Sequence, residues 1–157
     1  MFKIITNSPE QTRILGEKIA KLIDDNLIIC LEGNLGAGKT LFTQGFCNVL
    51  HVKEQVTSPT FNLMNVYEGD KRIYHFDLYR LENEDDLYEI GFYEYIDVKN
   101  EIALIEWPDK FMDCMPEDYL HLKIERTTLN NQREITITLH GKKYQNLYEE
   151  MKTTCQF

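Results

Sequence analysis

Leu27-Ile28-Ile29-Cys30-Leu31-Glu32-Gly33-Asn34-Leu35-Gly36-Ala37-Gly38-Lys39-Thr40 joins a wholly apolar run to a glycine-rich one. Residues 27–31 show no polar alternation, which predicts a strand buried on both faces, as in a parallel sheet covered by helices. Glu32-Gly33 closes that strand. Residues 33–40 then fit the pattern G-x-x-x-x-G-K-[ST] in full. A helix is expected to start near Lys39, because Phe42, Phe46, Val49 and Leu50 share one helical face. Strand, glycine loop and helix in this order are the setting that gives the pattern its meaning, a phosphate-binding loop.

Each residue type in the loop has a chemical reason. Gly33, Gly36 and Gly38 let the backbone turn tightly and bring N–H groups against phosphate oxygens without side-chain obstruction. The helix beginning near Lys39 aims its unpaired N–H groups and positive dipole end at the same anion. Lys39 is long enough to reach β- and γ-phosphates, and the Thr40 hydroxyl is a hard oxygen ligand for Mg²⁺. A plain glycine turn accounts for the glycines but not for Lys39-Thr40.

Outward from the loop, the pattern stays α/β. Ser8-Pro9-Glu10-Gln11 starts a helix, with Ser8 as cap, Pro9 at the first helical position and Gln11 completing a capping box. Leu15, Ile19, Leu22 and Ile23 continue its apolar face, and Asp24-Asp25-Asn26 ends it. Strands are predicted over 61–67 and 72–79, joined by the turn Glu68-Gly69-Asp70-Lys71. A short helix follows over 85–90, then a strand over 101–106 ended by Trp107-Pro108. Strands over 119–127 and 134–140 flank Asn130-Asn131, and a last helix spans 142–151. The expectation is one domain over 1–157, with a mixed parallel and antiparallel central sheet flanked by helices.

A phosphate loop that does chemistry needs an acid at a neighbouring strand end to hold the metal shell. Glu106, after Ile102-Ala103-Leu104-Ile105, and Asp77, after Ile73-Tyr74-His75-Phe76, both have that position. Periodicity leaves open which of them contacts the metal directly. His75 itself reads as a strand residue with a satisfied hydrogen bond; His51, His121 and His140 carry no hypothesis. Trp107 reads as a core cover or, from its place after Glu106, as a mobile contact. Arg133 is a candidate for a nucleotide phosphate or ribose, and Thr12 for the base.

Composition narrows the function. With 17 basic and 26 acidic residues the 157-residue chain carries a net charge of −9. Phosphate affinity for DNA or RNA comes from clustered Lys and Arg, so a free-standing nucleic-acid binder is disfavoured. The acidic run Glu82-Asn83-Glu84-Asp85-Asp86 suits a solvated loop and first helical turn. The four cysteines, Cys30, Cys47, Cys114 and Cys155, form no CxxC pair, which fits packing thiols in a reduced cytoplasmic protein. Neither a signal segment nor an apolar stretch of about 20 residues is present, so no membrane association is expected. Absence of N-K-x-D, and of glycine in Asp77-Leu78-Tyr79-Arg80, argues against guanine specificity. The five arginines (Arg13, Arg72, Arg80, Arg126 and Arg133) are scattered, which ranks ATP hydrolysis above phosphoryl transfer to a metabolite.

Gly33-Asn34-Leu35-Gly36-Ala37-Gly38-Lys39-Thr40, Thr57-Ser58-Pro59-Thr60-Phe61, His75-Phe76-Asp77-Leu78-Tyr79-Arg80, Glu89-Ile90-Gly91-Phe92 and Ile105-Glu106-Trp107-Pro108 occur together in this order. The set resembles the TsaE (YjeE) family of bacterial ATPases, which serve threonylcarbamoyladenosine (t⁶A) formation in tRNA. That resemblance covers nearly the whole chain. Asn34 stands where Asp is common in the family, and Phe61 where Tyr is frequent; neither supplies a phosphate-binding side chain.

The resemblance implies a P-loop NTPase fold. ATP would lie on Gly33, Asn34, Leu35, Gly36, Ala37, Gly38, Lys39, Thr40 and Leu41, with Mg²⁺ beside Thr40 and Glu106. Asp77 would be the second essential acid, organising the attacking water or the outer metal shell. Thr57 and Thr60 would belong to a switch-like loop sensing the γ-phosphate. The catalytic set expected is therefore Lys39, Asp77 and Glu106. Implied partners are a TsaD-like t⁶A threonylcarbamoyltransferase and its paralogous TsaB-like subunit, with tRNA contacted only through the complex. Two other classes share the loop: a small-molecule or protein kinase, and a non-catalytic nucleotide-dependent partner-binding switch.

Overall fold

β2 (Leu27–Glu32) is the strand that the apolar run predicts, and both its faces are covered. Leu27, Ile29 and Leu31 enter one hydrophobic core; Ile28 and Cys30 enter another on the opposite side of the sheet. In a computed structural model, which describes all 157 residues, β2 lies at the middle of seven strands. The others are β1 (Phe2–Thr6), β3 (Met64–Glu68), β4 (Arg72–Asp77), β5 (Ile102–Glu106), β6 (Tyr119–Arg126) and β7 (Arg133–His140). Their order is β1-β7-β6-β2-β5-β4-β3. β6, β2, β5 and β4 pair in parallel, while β3, β7 and β1 join through antiparallel pairings. The expected mixed sheet is thus a parallel centre with antiparallel margins.

α1 (Pro9–Ala20), α2 (Lys39–Val49) and α5 (Gln145–Thr154) contribute to the larger core, which includes Leu15, Phe42, Phe46 and Met151. α1 and α2 touch backbone to backbone. A Cβ on Gly16 would stand 2.1 Å from the Phe42 carbonyl oxygen, and one on Gly45 1.9 Å from that of Arg13. Two side chains reduced to hydrogen therefore set the distance between the helix that carries the loop lysine and its neighbour. On the other face, α3 (Glu84–Glu89) and α4 (Phe92–Tyr95) close a second core around Phe76, Leu87 and Phe92.

The start of α1 follows the predicted capping logic with one shift. The Ser8 hydroxyl accepts from the Gln11 amide at 3.1 Å, but Gln11 Oε1 accepts from the Asn7 amide, one residue before the cap. The helix ends at Ala20, so Leu22 and Ile23 pack on the core from the turn beyond it. The acidic run caps α3: the Asn83 side chain accepts from the Asp86 amide, and Asp86 returns the bond.

Other differences have local causes. β3 starts at Met64 rather than at residue 61, because the Leu63 amide donates back to the Pro59 carbonyl and Leu63 turns to φ +65°. The last helix starts three residues late: the Lys142 and Lys143 amides donate to Asp118 Oδ1, which holds them outside the helix. β1 was not anticipated; its two buried residues, Ile4 and Thr6, leave pairing with β7 as the main cause of the strand. Cys30, Cys47 and Cys155 are buried free thiols, and burial pushes Cys47 up to about 12, well away from thiolate reactivity. No helix is long and apolar enough to cross a membrane.

Candidate functional site

The parallel strands β2, β5 and β4 end together, and every residue of interest lies at or just beyond that edge. Leu31 pairs with Glu106, and Glu106 with Asp77, so the loop after β2 and both acids come from adjacent strand tips. The carboxyl edge of a parallel sheet is where such folds bind ligands.

The loop between β2 and α2 is shaped by glycine at two positions. Gly36 has φ +77°, and Gly38 has φ +119° as the residue before the first helical turn. Gly38 brings no side chain to cap the helix, so the first-turn N–H groups of α2 remain free to meet an anion. The carbonyls of the loop are held from outside. Arg133 Nε donates to the Ala37 oxygen at 2.8 Å, and Arg126 Nη2 to the Gly36 oxygen at 3.1 Å. Arg133 also lines a small hollow with Pro9, Thr12, Leu41 and Asn131, on the flank of the loop.

Lys39 is 6% exposed, and its Nζ has three neighbours. It donates to the Gly33 carbonyl at 2.5 Å, lies 3.9 Å from Glu106 Oε1, and sits 3.8 Å from the centroid of the Trp107 ring. Burial lowers its pKa from the usual lysine value; Glu106, Asp77 and Asp109 act in the opposite sense. Trp107, at φ +55°, is therefore a contact of the loop lysine, and its ring also packs against Tyr79.

Asp77 and Glu106 are 3% and 2% exposed. Two buried carboxylates on neighbouring strands need partners. Asp77 Oδ1 accepts from the Tyr79 amide at 2.9 Å and Oδ2 from the Thr60 hydroxyl at 3.1 Å. Glu106 Oε2 is 2.5 Å from His75 Nε2. His75 is fully buried, and its Nδ1 is 3.2 Å from the Tyr67 hydroxyl, so both ring nitrogens are occupied, as expected for a strand histidine.

A cleft of about 230 Å³ gathers Lys39, Thr40, Leu41, Thr60, Asp77 and Glu106, with Leu35, Gly36 and Gly38 on its loop side. Gly33, Asn34 and Ala37 face an adjoining cleft of about 340 Å³ beside Trp107. Thr57 lines neither; its carbonyl is tied to Tyr67. One hydroxyl and two carboxylates form a hard oxygen set, the chemistry of a divalent cation that keeps much of its water or binds phosphate. No cluster of three or more His, Cys, Asp or Glu side chains offers a self-sufficient metal cage.

Sequence reasoning missed three contributors. Tyr67 read only as a strand residue, Arg126 only as a scattered arginine, and the Trp107–Lys39 contact required the positive φ at Trp107. No spacing rule announces any of them.

This sheet, with the glycine loop between its central strand and α2, defines a P-loop NTPase fold. The solved structure of Bacillus subtilis YdiB superposes with a TM-score of 0.81 at 32% identity, covering 96% of this chain and 93% of that one. The family model for "Threonylcarbamoyl adenosine biosynthesis protein TsaE" matches residues 6–135. The tRNA threonylcarbamoyladenosine biosynthesis protein TsaE of B. subtilis is 36% identical over 147 residues, 93% of this chain and 90% of its own length. Its Treponema pallidum counterpart is 33% identical over 86% of this chain and 98% of its own. The chain belongs to the TsaE family.

Proposed function

We propose that this protein is a cytoplasmic, Mg²⁺-dependent ATPase of tRNA t⁶A formation at position 37. ATP binding would dock it on the TsaD-like threonylcarbamoyltransferase and its TsaB-like companion, and hydrolysis would reset that complex. The observation that carries this reading is the single cleft in which Lys39, Thr40, Thr60, Asp77 and Glu106 converge.

The residues divide the work by chemistry. Free N–H groups at the start of α2 receive phosphate oxygens, and Lys39 exchanges the Gly33 carbonyl for the β- and γ-phosphates. Thr40 and Glu106 would hold Mg²⁺, which when bound would supply charge neutralisation for the transferring phosphoryl group. Asp77, steadied by Thr60 and the Tyr79 amide, orients water. Pro9, Thr12 and Arg133 stand on the flank of the loop, around a hollow of only about 30 Å³, on the side where the nucleoside would emerge.

Hydrolysis is favoured over transfer to a metabolite by the placement of the arginines. Arg126 and Arg133 hold loop carbonyls, Arg13 pairs with Glu10 and Glu17, Arg72 with Glu68, and Arg80 lies over Phe61. None of them lines the 230 Å³ cleft of Lys39, Asp77 and Glu106; Arg126 alone reaches the adjoining one.

Calorimetric titration with MgATP, beside phosphate release with and without the transferase pair, tests the reading. Lys39→Ala should weaken MgATP binding by about 1.5–3 kcal/mol, the value of hydrogen bonds to charged groups. Glu106→Gln should bind ATP yet release little phosphate; retained t⁶A formation by that variant would leave only a nucleotide-gated switch. Equal MgATP affinity in wild type and Lys39→Ala would remove the phosphate site from this loop.

A further inference from the structure

A buried chain of polar groups runs from the cleft to the backbone of the 57–60 loop. Glu106 Oε2 meets His75 Nε2 at 2.5 Å, His75 Nδ1 meets the Tyr67 hydroxyl at 3.2 Å, and that hydroxyl donates to the Thr57 carbonyl at 3.1 Å. His75 is fully buried and Tyr67 is 3% exposed, so water does not substitute for these partners. Asn65 Nδ2 flanks the end of the chain, 3.4 Å from the Thr57 carbonyl and 3.3 Å from the Tyr67 oxygen.

For a neutral His75 protonated at Nε2, the inventory of hydrogens leaves two arrangements open. A neutral His75 that gives its Nε2–H to Glu106 is an acceptor at Nδ1. The Tyr67 hydroxyl faces two acceptors, His75 Nδ1 and the Thr57 carbonyl, with one hydrogen. Burial raises the Tyr67 pKa, which keeps that hydrogen on the oxygen. When the loop holds its carbonyl against Tyr67, the hydrogen points to the loop. When the loop moves, or Asn65 takes over the carbonyl, the hydrogen turns to His75. Donation at Nδ1 polarises the ring and strengthens the bond from Nε2–H to Glu106.

We infer that Tyr67 and His75 are positioning residues that transmit the placement of the Thr57–Thr60 loop to the Glu106 carboxylate through this one shared hydrogen. The inference rests on the ATPase reading for its consequence but not for its geometry. A second tie, from the Thr60 hydroxyl to Asp77, brings the other acid under the same loop. Loop position thus reaches both carboxylates by separate routes, one direct and one through two buried rings.

Tyr67→Phe removes the shared hydrogen and keeps the ring, whose centroid lies 5.9 Å from that of His75. In nucleotide-free protein, ¹⁵N spectra of the histidine rings should show a changed His75 Nδ1 resonance, and amide exchange across 57–60 should accelerate. With MgATP, kcat should fall about tenfold, the equivalent of one hydrogen bond, while KM changes less than about twofold. His75→Asn should lower kcat in the same way, and the double variant should be no worse than the poorer single one. An unaltered Nδ1 resonance with unaltered loop exchange overturns the inference. So does a double variant whose losses multiply. If wild type binds no MgATP, the ATPase reading fails, and the nucleotide-free spectra still decide whether loop and carboxylate are linked.

Discussion

Two loops meet at the cleft, and they are held in opposite ways. The 33–40 loop is fixed at the backbone. Its ends grow from a buried strand and a packed helix, its own Ala37 amide closes on Asn34, and two arginines fasten its outward carbonyls. The 57–60 loop precedes an antiparallel edge strand and is held largely by hydroxyl and amide side chains: Thr60 on Asp77, Tyr67 and Asn65 on Thr57. One loop is built to keep its shape, the other to let go of it. Under the proposed ATPase reading, a site that must both grip phosphate and report it would need the two kinds side by side.

Strain in the gripping loop should carry the largest effect. Gly38→Ala forces a side chain into φ +119° and places a Cβ 3.2 Å from Thr12 Cγ2. The expected loss of stability is about 1–3 kcal/mol, read as a fall of about 2–10 °C in Tm, with weaker MgATP binding by calorimetry. An unchanged Tm would mean that the loop readily adopts another path, and the contrast between the two loops would collapse.

Arg133→Ala removes bonds to the Ala37 and Gly36 carbonyls and one wall of the hollow beside Thr12, while the residues lining the 230 Å³ cleft are unchanged. Ordinary hydrogen bonds of this kind contribute about 0.5–1.5 kcal/mol, so MgATP affinity should drop about two- to tenfold while the global unfolding midpoint moves little. Titration calorimetry separates this from Gly38→Ala: the arginine variant loses affinity, the glycine variant loses stability as well. Thr60→Val then cuts the direct tie of the second loop to Asp77. Amide exchange over 57–60 should quicken, with a loss of about 0.5–1.5 kcal/mol, since the buried Asp77 carboxylate keeps the Tyr79 amide on its other oxygen. Unchanged exchange would show that backbone bonds, not the hydroxyl, hold this loop.

The same contrast explains what could be read before any coordinates. The 33–40 loop was legible in shape because its determinants are local: glycines for positive φ, and apolar runs on either side that make a buried strand and a packed helix. Asp77 and Glu106 were legible as acids ending apolar strands, although their pairing across β4 and β5 was not. Tyr67, Asn65 and Arg126 act on residues 10, 8 and 90 positions away along the chain. No periodicity encodes contacts at such separations, since they depend on strand order. β3 was misplaced at its start for a related reason. Phe61 and Leu63 have strand-forming side chains, but Pro59 and the bond from the Leu63 amide to its carbonyl turn the backbone first.

Phe61 gives the smallest expected effect and the sharpest check on how the second loop is held. Its side chain is 81% exposed, and its evident contact is the Arg80 guanidinium, 4.5 Å from the ring centroid. An exposed cation–π pair contributes about 0.5–1 kcal/mol at most, partly offset by the freedom both side chains regain. Phe61→Ala should therefore leave Tm within about 2 °C of wild type and MgATP affinity within about twofold. Were Tm to fall further, the 57–60 loop would draw its hold from an apolar contact at its tip. Its hydroxyl ties would then be secondary, and the loop would be anchored on both sides of Pro59.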